Sequence, residues 1–190
     1  MNLEELYIKS DHEWREWLHE NHSSCKGVHL IFYKIDHEKD SMRWEEAVKV
    51  ALCYGWIDST ARSLGDGKRR QYFTQRNATS VWSALNKRHI IELTSHNLMH
   101  DSGFKTIEIA KQNGSWTALD AVENGIIPED LQIEFNKNTE AFQNYQDFAP
   151  SYRKNYLYWL NQAKREITRK KRIIEIITLC ENNVKSRGTR

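Results

Sequence analysis

The side chains best suited to chemistry fall between Trp56 and Asn86. This stretch reads WIDSTARSLGDGKRRQYFTQRNATSVWSALN. It holds one acid in an aromatic setting, Asp58 after Trp56, and then Arg62, Lys68, Arg69 and Arg70. Tyr72, Thr74, Arg76, Ser80, Trp82, Ser83 and Asn86 follow. An aspartate can act as a base or an acceptor, an arginine can hold an anionic group, and tryptophan can wall off water. Residues two apart in a strand share a face. Tyr72, Thr74 and Arg76 are therefore expected on one side of a strand, and Trp56, Asp58 and Thr60 on one side of its partner. An Asp58–Arg76 pair across the two strands would be either a structural anchor or half of a small-molecule site with Trp56 or Trp82 as stacking wall. The candidate ligand-binding set is Trp56, Asp58, Tyr72, Thr74, Arg76, Ser80, Trp82 and Asn86. No catalytic residue is assigned.

Other chemistries are less well supported. His96 and His100 are four apart, a spacing that suits metal on a helix, but they straddle an expected helix end and no HExxH surrounds them. The three cysteines, Cys25, Cys53 and Cys180, form no CxxC pair. There is no GxSxG elbow and no Walker A loop, and GDGK lacks a preceding strand and following helix in the order that a phosphate loop needs. No metal site and no cofactor are expected.

The elements that must position these residues can be read from periodicity and punctuation. Asp11 is the expected cap of a helix with Trp14, Trp17 and Leu18 on one face. GVHLIFYKI reads as a strand. Ser41 is the expected cap of a helix that buries Trp44, Ala47, Val48, Ala51 and Leu52 and stops at Gly55. WIDSTARSL and RRQYFTQR form a hairpin, because Asp66-Gly67 supplies the positive φ angles of a tight turn. Ser80 is the expected cap of the next helix, and Asp101 or Ser102 of the one after, which Gly114 closes. Pro128 and Thr139 begin two further helical pieces. Pro150 opens a helix with a stripe of Tyr152, Tyr156, Trp159, Leu160 and Ala163. The last helix should bury Ile173, Ile174, Ile177 and Cys180, and the tail from Val184 should be loose. The fold class is α+β, a small mostly antiparallel sheet with helices packed on it, followed by an all-helical C-terminal region. The expected division is an α+β domain over 1–125 and a helical region with a basic last helix over 126–190.

Composition sets the frame. The 190 residues are 39% hydrophobic and 11% aromatic, with seven Trp and only two Pro, enough for an aromatic core and unlike a disordered chain. The net charge of +2 is uneven. Residues 151–190 carry eleven Lys or Arg against three Glu, a net of +8, which leaves −6 on the first 150. Arg165, Arg169 and Arg172 recur at roughly helical spacing and form a candidate basic surface. The opening MNLEELYIKSDHEW lacks the apolar stretch of a signal peptide, no apolar run nears a membrane span, and unpaired cysteines fit a reducing compartment. A cytoplasmic location is the expectation.

Four separated blocks make the sequence recognisable: EWREWLHENH…GVHLIFYKI, EEAVKVALCYGWIDS, YFTQRNATSVWSALNK and FAPSYRKNYLYWLNQAKREITRKKRIIE. Together they resemble the YdeI/OmpD-associated, or bacteriocin-protection, family (OmdA-like) from about Trp14 to Leu179. Gln75 stands where the family has the proline of an FTPR strand, and Glu166-Ile167 where it has Pro-Glu. The last two helices could therefore be continuous. The resemblance implies protection against bacteriocins or cationic antimicrobial peptides, a stress or envelope role exerted by binding. It brings no reaction, cofactor or catalytic residue.

Three functions follow as expectations. The first is a stress or envelope-protection protein that binds a small anionic ligand or a cationic peptide. The second is a small-ligand protein or enzyme built on Trp56, Asp58, Arg76 and Trp82. The third is nucleic-acid binding by the basic last helix, disfavoured because no nucleic-acid motif is present. The long C-terminal helices could also pair two copies into a homodimer.

Overall fold

The computed structural model describes residues 4–187. The chain divides into two compact units, with the boundary between Thr117 and Ala118. The first is α+β and the second all-helical, the fold class read from the sequence.

The first unit opens with a short strand that the sequence did not announce, β1 (Glu5–Leu6). It is followed by α1 (Asp11–Asn21), β2 (Gly27–Tyr33), α2 (Trp44–Cys53), β3 (Trp56–Gly65), β4 (Lys68–Gln75), α3 (Ala84–Ser95) and α4 (Asp101–Gln112). The sheet order is β1-β2-β4-β3. β1 is parallel to β2, and the other two pairings are antiparallel. One acidic residue and a leucine carry too little pattern to mark β1; its pairing with β2 makes the strand.

The hairpin turn is as expected, with φ of +82°, +47° and +68° at Gly65, Asp66 and Gly67. Gly55 ends α2 at φ +76°, where a Cβ would also meet the Thr106 hydroxyl at 2.3 Å. Several caps differ from expectation. Ser10, not Asp11, caps α1 by accepting from the Glu13 amide. Ser41 instead accepts from the Tyr33 amide, and Arg43 begins α2 with its own amide held by Glu46. Ser83, not Ser80, caps α3, and the His100 ring, not Asp101 or Ser102, caps α4. A serine inside a helical pattern and one just before it look alike in sequence; the backbone position decides.

The core of this unit is aromatic, with Trp14, Trp56 and Phe73 fully buried. Trp14 meets Trp56 and Phe73 edge-on at 6.4 and 5.6 Å and stacks on Trp17 at 5.2 Å. Both buried indoles are satisfied: Trp14 donates to the Ala47 carbonyl and Trp56 to that of His22. These bonds tie α1 to α2 and to the start of β3.

The second unit comprises α5 (Asp120–Glu123), α6 (Glu129–Lys137), α7 (Thr139–Asp147), α8 (Pro150–Asn161) and α9 (Glu166–Glu181). Its core includes Phe135, Tyr145, Tyr156, Leu157, Leu160 and Ile176. The last two helices are separate, with residues 162–165 between them. On α9, Ile173, Ile176 and Cys180 face inward while Ile174 is exposed. The inner stripe is thus rotated from the expected one, since either Ile176 or Ile177 satisfies helical spacing after Ile173. The chain after α9 is anchored as far as Arg187. The Tyr156 hydroxyl donates to the Val184 carbonyl, and the Arg187 guanidinium sits 3.4 Å from the Trp159 ring centroid. Residues 188–190 of the tail that was expected to be loose lie outside the described residues.

Candidate functional site

The candidate residues of the hairpin do not form one cluster. Register explains why. Asp58 faces Phe73 and Trp56 faces Gln75, so this set shares the face that packs on α1. Tyr72 and Thr74 point the other way. Tyr72 packs against His29 at 5.3 Å, and the Thr74 hydroxyl donates to the Lys26 carbonyl. Ser80 sits in the turn after β4, where its amide bonds to the Asn77 carbonyl. Asn86 lies in the first turn of α3, where its amide bonds to the Ser83 hydroxyl.

Asp58 and Arg76 do not pair. Among the described residues no hydrogen bond or ion pair joins them, and Asp58 acts on Arg76 only through space. One oxygen of Asp58 accepts from Trp44 Nε1 at 2.8 Å and from Gln71 Nε2 at 2.9 Å. Gln71, only 4% exposed, also donates to the Ser59 carbonyl. Asp58 therefore holds the Trp44 indole in place, and Gln71 holds Asp58. A short acceptor between two fixed donors locks rotamers in this way.

Trp44 is one wall of an open groove of about 880 Å³. The groove runs between the outer half of the β3–β4 hairpin, the loop after β2 and the first turn of α2. Tyr33, Ile35 and Trp44 supply most of its apolar surface, over the largely buried Phe32 and Met42. Lys34, Arg43, Arg62, Lys68 and Arg69 bring five positive charges, against Asp36 and Asp66, for a net of +3. Arg69 lies over the Phe32 ring at 5.4 Å, so its charge is held on the groove surface. Neither Asp58 nor Arg76 lines the groove.

Arg62, Lys68 and Arg69 belong to the polar run that the sequence singled out. Lys34 and Arg43 were missed, and Trp44, expected on the buried face of its helix, is instead exposed at the first turn, where its indole reaches Asp58. The usable signal was the density of cations on both sides of the Asp66-Gly67 turn, which had to meet whatever lay beside the hairpin.

At the other end of the hairpin, Arg76 follows β4, and its amide donates to the Gly55 carbonyl at 2.9 Å. Its guanidinium lies 3.7 Å from the Trp82 ring centroid, and burial lowers its pKa to about 10. Trp82 in turn packs on Trp116 at 5.0 Å.

The candidate basic surface of the second unit is largely committed to internal contacts. Arg169 makes a two-pronged ion pair with Asp130, and Arg172 donates to the Trp159 carbonyl while covering its ring. Arg165 remains exposed at the start of α9. Cys25, Cys53 and Cys180 are all free, and burial raises the thiols of Cys53 and Cys180, the latter to about 12. Among the described residues no group of His, Cys, Asp or Glu is arranged to hold a metal, and no helix is long and apolar enough to cross a membrane.

Comparison with known families divides the chain much as its structure does. Residues 6–106, more than half its length, match a family described as a domain of unknown function (DUF8412), and the chain belongs to that family. Residues 124–183 match the family described as bacteriocin-protection, YdeI or OmpD-associated. The resemblance seen in the sequence is thus found in the second unit, while the first is matched by a different family. No curated protein and no solved structure matches the chain.

Proposed function

We propose that the protein acts by binding a small anionic ligand with a flat apolar part, in a protective role of the kind named by the family that its second unit matches. The observation that carries this reading is the groove beside the hairpin. It combines an apolar surface with a net charge of +3, and its indole wall is fixed by Asp58 and Gln71. A mostly apolar concavity with a few placed polar groups is the usual form of a small-molecule site. Its charge sign favours an anion over a cationic peptide. Asp58 serves here as a positioning residue and not as a base.

The test is titration with phenyl phosphate, adenosine monophosphate and inorganic phosphate, read by tryptophan fluorescence and thermal shift. An aromatic phosphate should bind saturably, more tightly than inorganic phosphate, and more weakly as salt rises. Arg62→Glu with Arg69→Glu should weaken it at least about tenfold, since two charges of reversed sign face the ligand. Binding that is indifferent to this reversal would refute the proposal, as would a preference for a cationic peptide.

A further inference from the structure

We infer that Arg76 and Trp82 form a second binding site, for a small monovalent anion of halide size, separate from the hairpin groove. The guanidinium lies over the indole, its central carbon 3.7 Å from the ring centroid. Its Nη2 donates to the Val81 carbonyl. Nε and Nη1 are buried and have no hydrogen-bond partner among the described residues, and Trp82 Nε1 is in the same condition. One stacked pair therefore collects three unused N–H donors and a full positive charge. Buried donors in folded proteins nearly always find an acceptor, and a buried charge without a partner is among the costliest arrangements a fold can carry.

The carboxylate whose charge Arg76 feels does not meet this need. Asp58 influences Arg76 through space, but its bonded oxygen is already shared by Trp44 and Gln71. The partner must accept hydrogen bonds and carry negative charge. It must also be small, because the donor atoms lie out of reach of solvent. The turn after β4 is fastened, since its Ala78 carbonyl accepts from Asn113 Nδ2 at 2.7 Å and from the Ser115 hydroxyl at 3.3 Å. This fastening holds in place the segment that joins Arg76 to Trp82. A water molecule would satisfy the donors but leave the charge unbalanced, and it would show no dependence on the anion supplied.

Crystals soaked in bromide provide the direct test. An anomalous peak within hydrogen-bonding distance of Arg76 and Trp82 Nε1 is expected, and its absence would overturn the assignment. In solution, chloride replaces isethionate at constant ionic strength while the melting temperature is followed. The wild type should show a saturable rise. Arg76→Met should lose it entirely, and Trp82→Phe should raise the half-saturating chloride concentration several-fold. The groove variant Arg62→Glu should keep the response, which separates this site from the groove. A wild type without a saturable rise, or an Arg76→Met protein that retains it, would contradict the inference. Should Arg76→Met fail to fold, the bromide peak and Trp82→Phe still decide.

Discussion

The two ends of the β3–β4 hairpin treat their polar groups in opposite ways. At one end a half-buried carboxylate is shared between Trp44 and Gln71, and the glutamine's spare donor capacity goes to a strand carbonyl. At the other, a guanidinium and an indole keep three buried N–H groups without a partner. Both ends place a charged side chain near a tryptophan. One is complete within the chain; the other is completed only by something brought to it. The contrast shows that a charge beside an aromatic ring says little about its role until each donor has been assigned an acceptor.

Substitutions can break or sharpen this contrast. The largest effect is expected at Trp56, which lies in the common core at the start of β3. Trp56→Ala removes a fully buried ring and the bond to the His22 carbonyl, and should cost about 3–5 kcal/mol in denaturant unfolding. It should disturb both ends together. Gln71→Leu is expected to cost about 1–3 kcal/mol, because it strips a donor from Asp58 and leaves the Ser59 carbonyl unmet. It should also release Trp44, visible as faster indole motion in fluorescence anisotropy. A Gln71→Leu protein as stable as wild type would show that the complete end is not held by this network.

The acid side of the stability profile gives a smaller effect. Burial lowers the His100 pKa, with His22 and His19 adding repulsion and Asp101 opposing it. The ring, stacked on Tyr54 at 4.9 Å, accepts from the Ser102 amide through Nδ1 and caps α4. The unfolded chain therefore takes up this proton more readily than the folded one. The stabilisation is complete above the ordinary histidine value of 6.5 and is lost as pH falls through the depressed folded value. Burial also lowers His89, which adds in the same direction. His100→Asn, which keeps a cap without the titration, should flatten part of this slope in thermal melts between pH 5 and 7. An unchanged slope would place the acid sensitivity elsewhere.

The smallest change is predicted where the charge is most exceptional. In low halide, Arg76→Met should stay within about 1 kcal/mol of wild type, because removing an uncompensated buried cation offsets the packing lost. A loss as large as that of Gln71→Leu would mean that Arg76 is as well satisfied as Asp58, and the contrast would disappear.

Much of the architecture was legible in the sequence. The stop at Gly55, the Asp66-Gly67 turn and the helical C-terminal region all follow from local rules that do not depend on distant residues. The site was legible only in part. Asp58 and Arg76 were singled out together, but whether they meet depends on register and on which donors compete for the carboxylate. Trp44, fourteen residues before Asp58, takes the carboxylate, and no pattern within the hairpin could announce it. The groove was hidden for the same reason: three of its cations stand on the hairpin, while Lys34 and Arg43 come from segments that only folding brings alongside.

The placement of β3 at the sheet edge bears on how the molecule behaves in a crowd. An open edge normally invites another strand to pair with it, and from there to aggregation. Here the ladder to β4 is interrupted twice, between Asp58 and Ala61 and again between Ser63 and Gly65, and Arg62 lies in the stretch between. An incoming strand would have to match both irregularities and accept a charged side chain. The hairpin can thus extend one strand to form a groove wall without offering that strand's free side as a template for self-association.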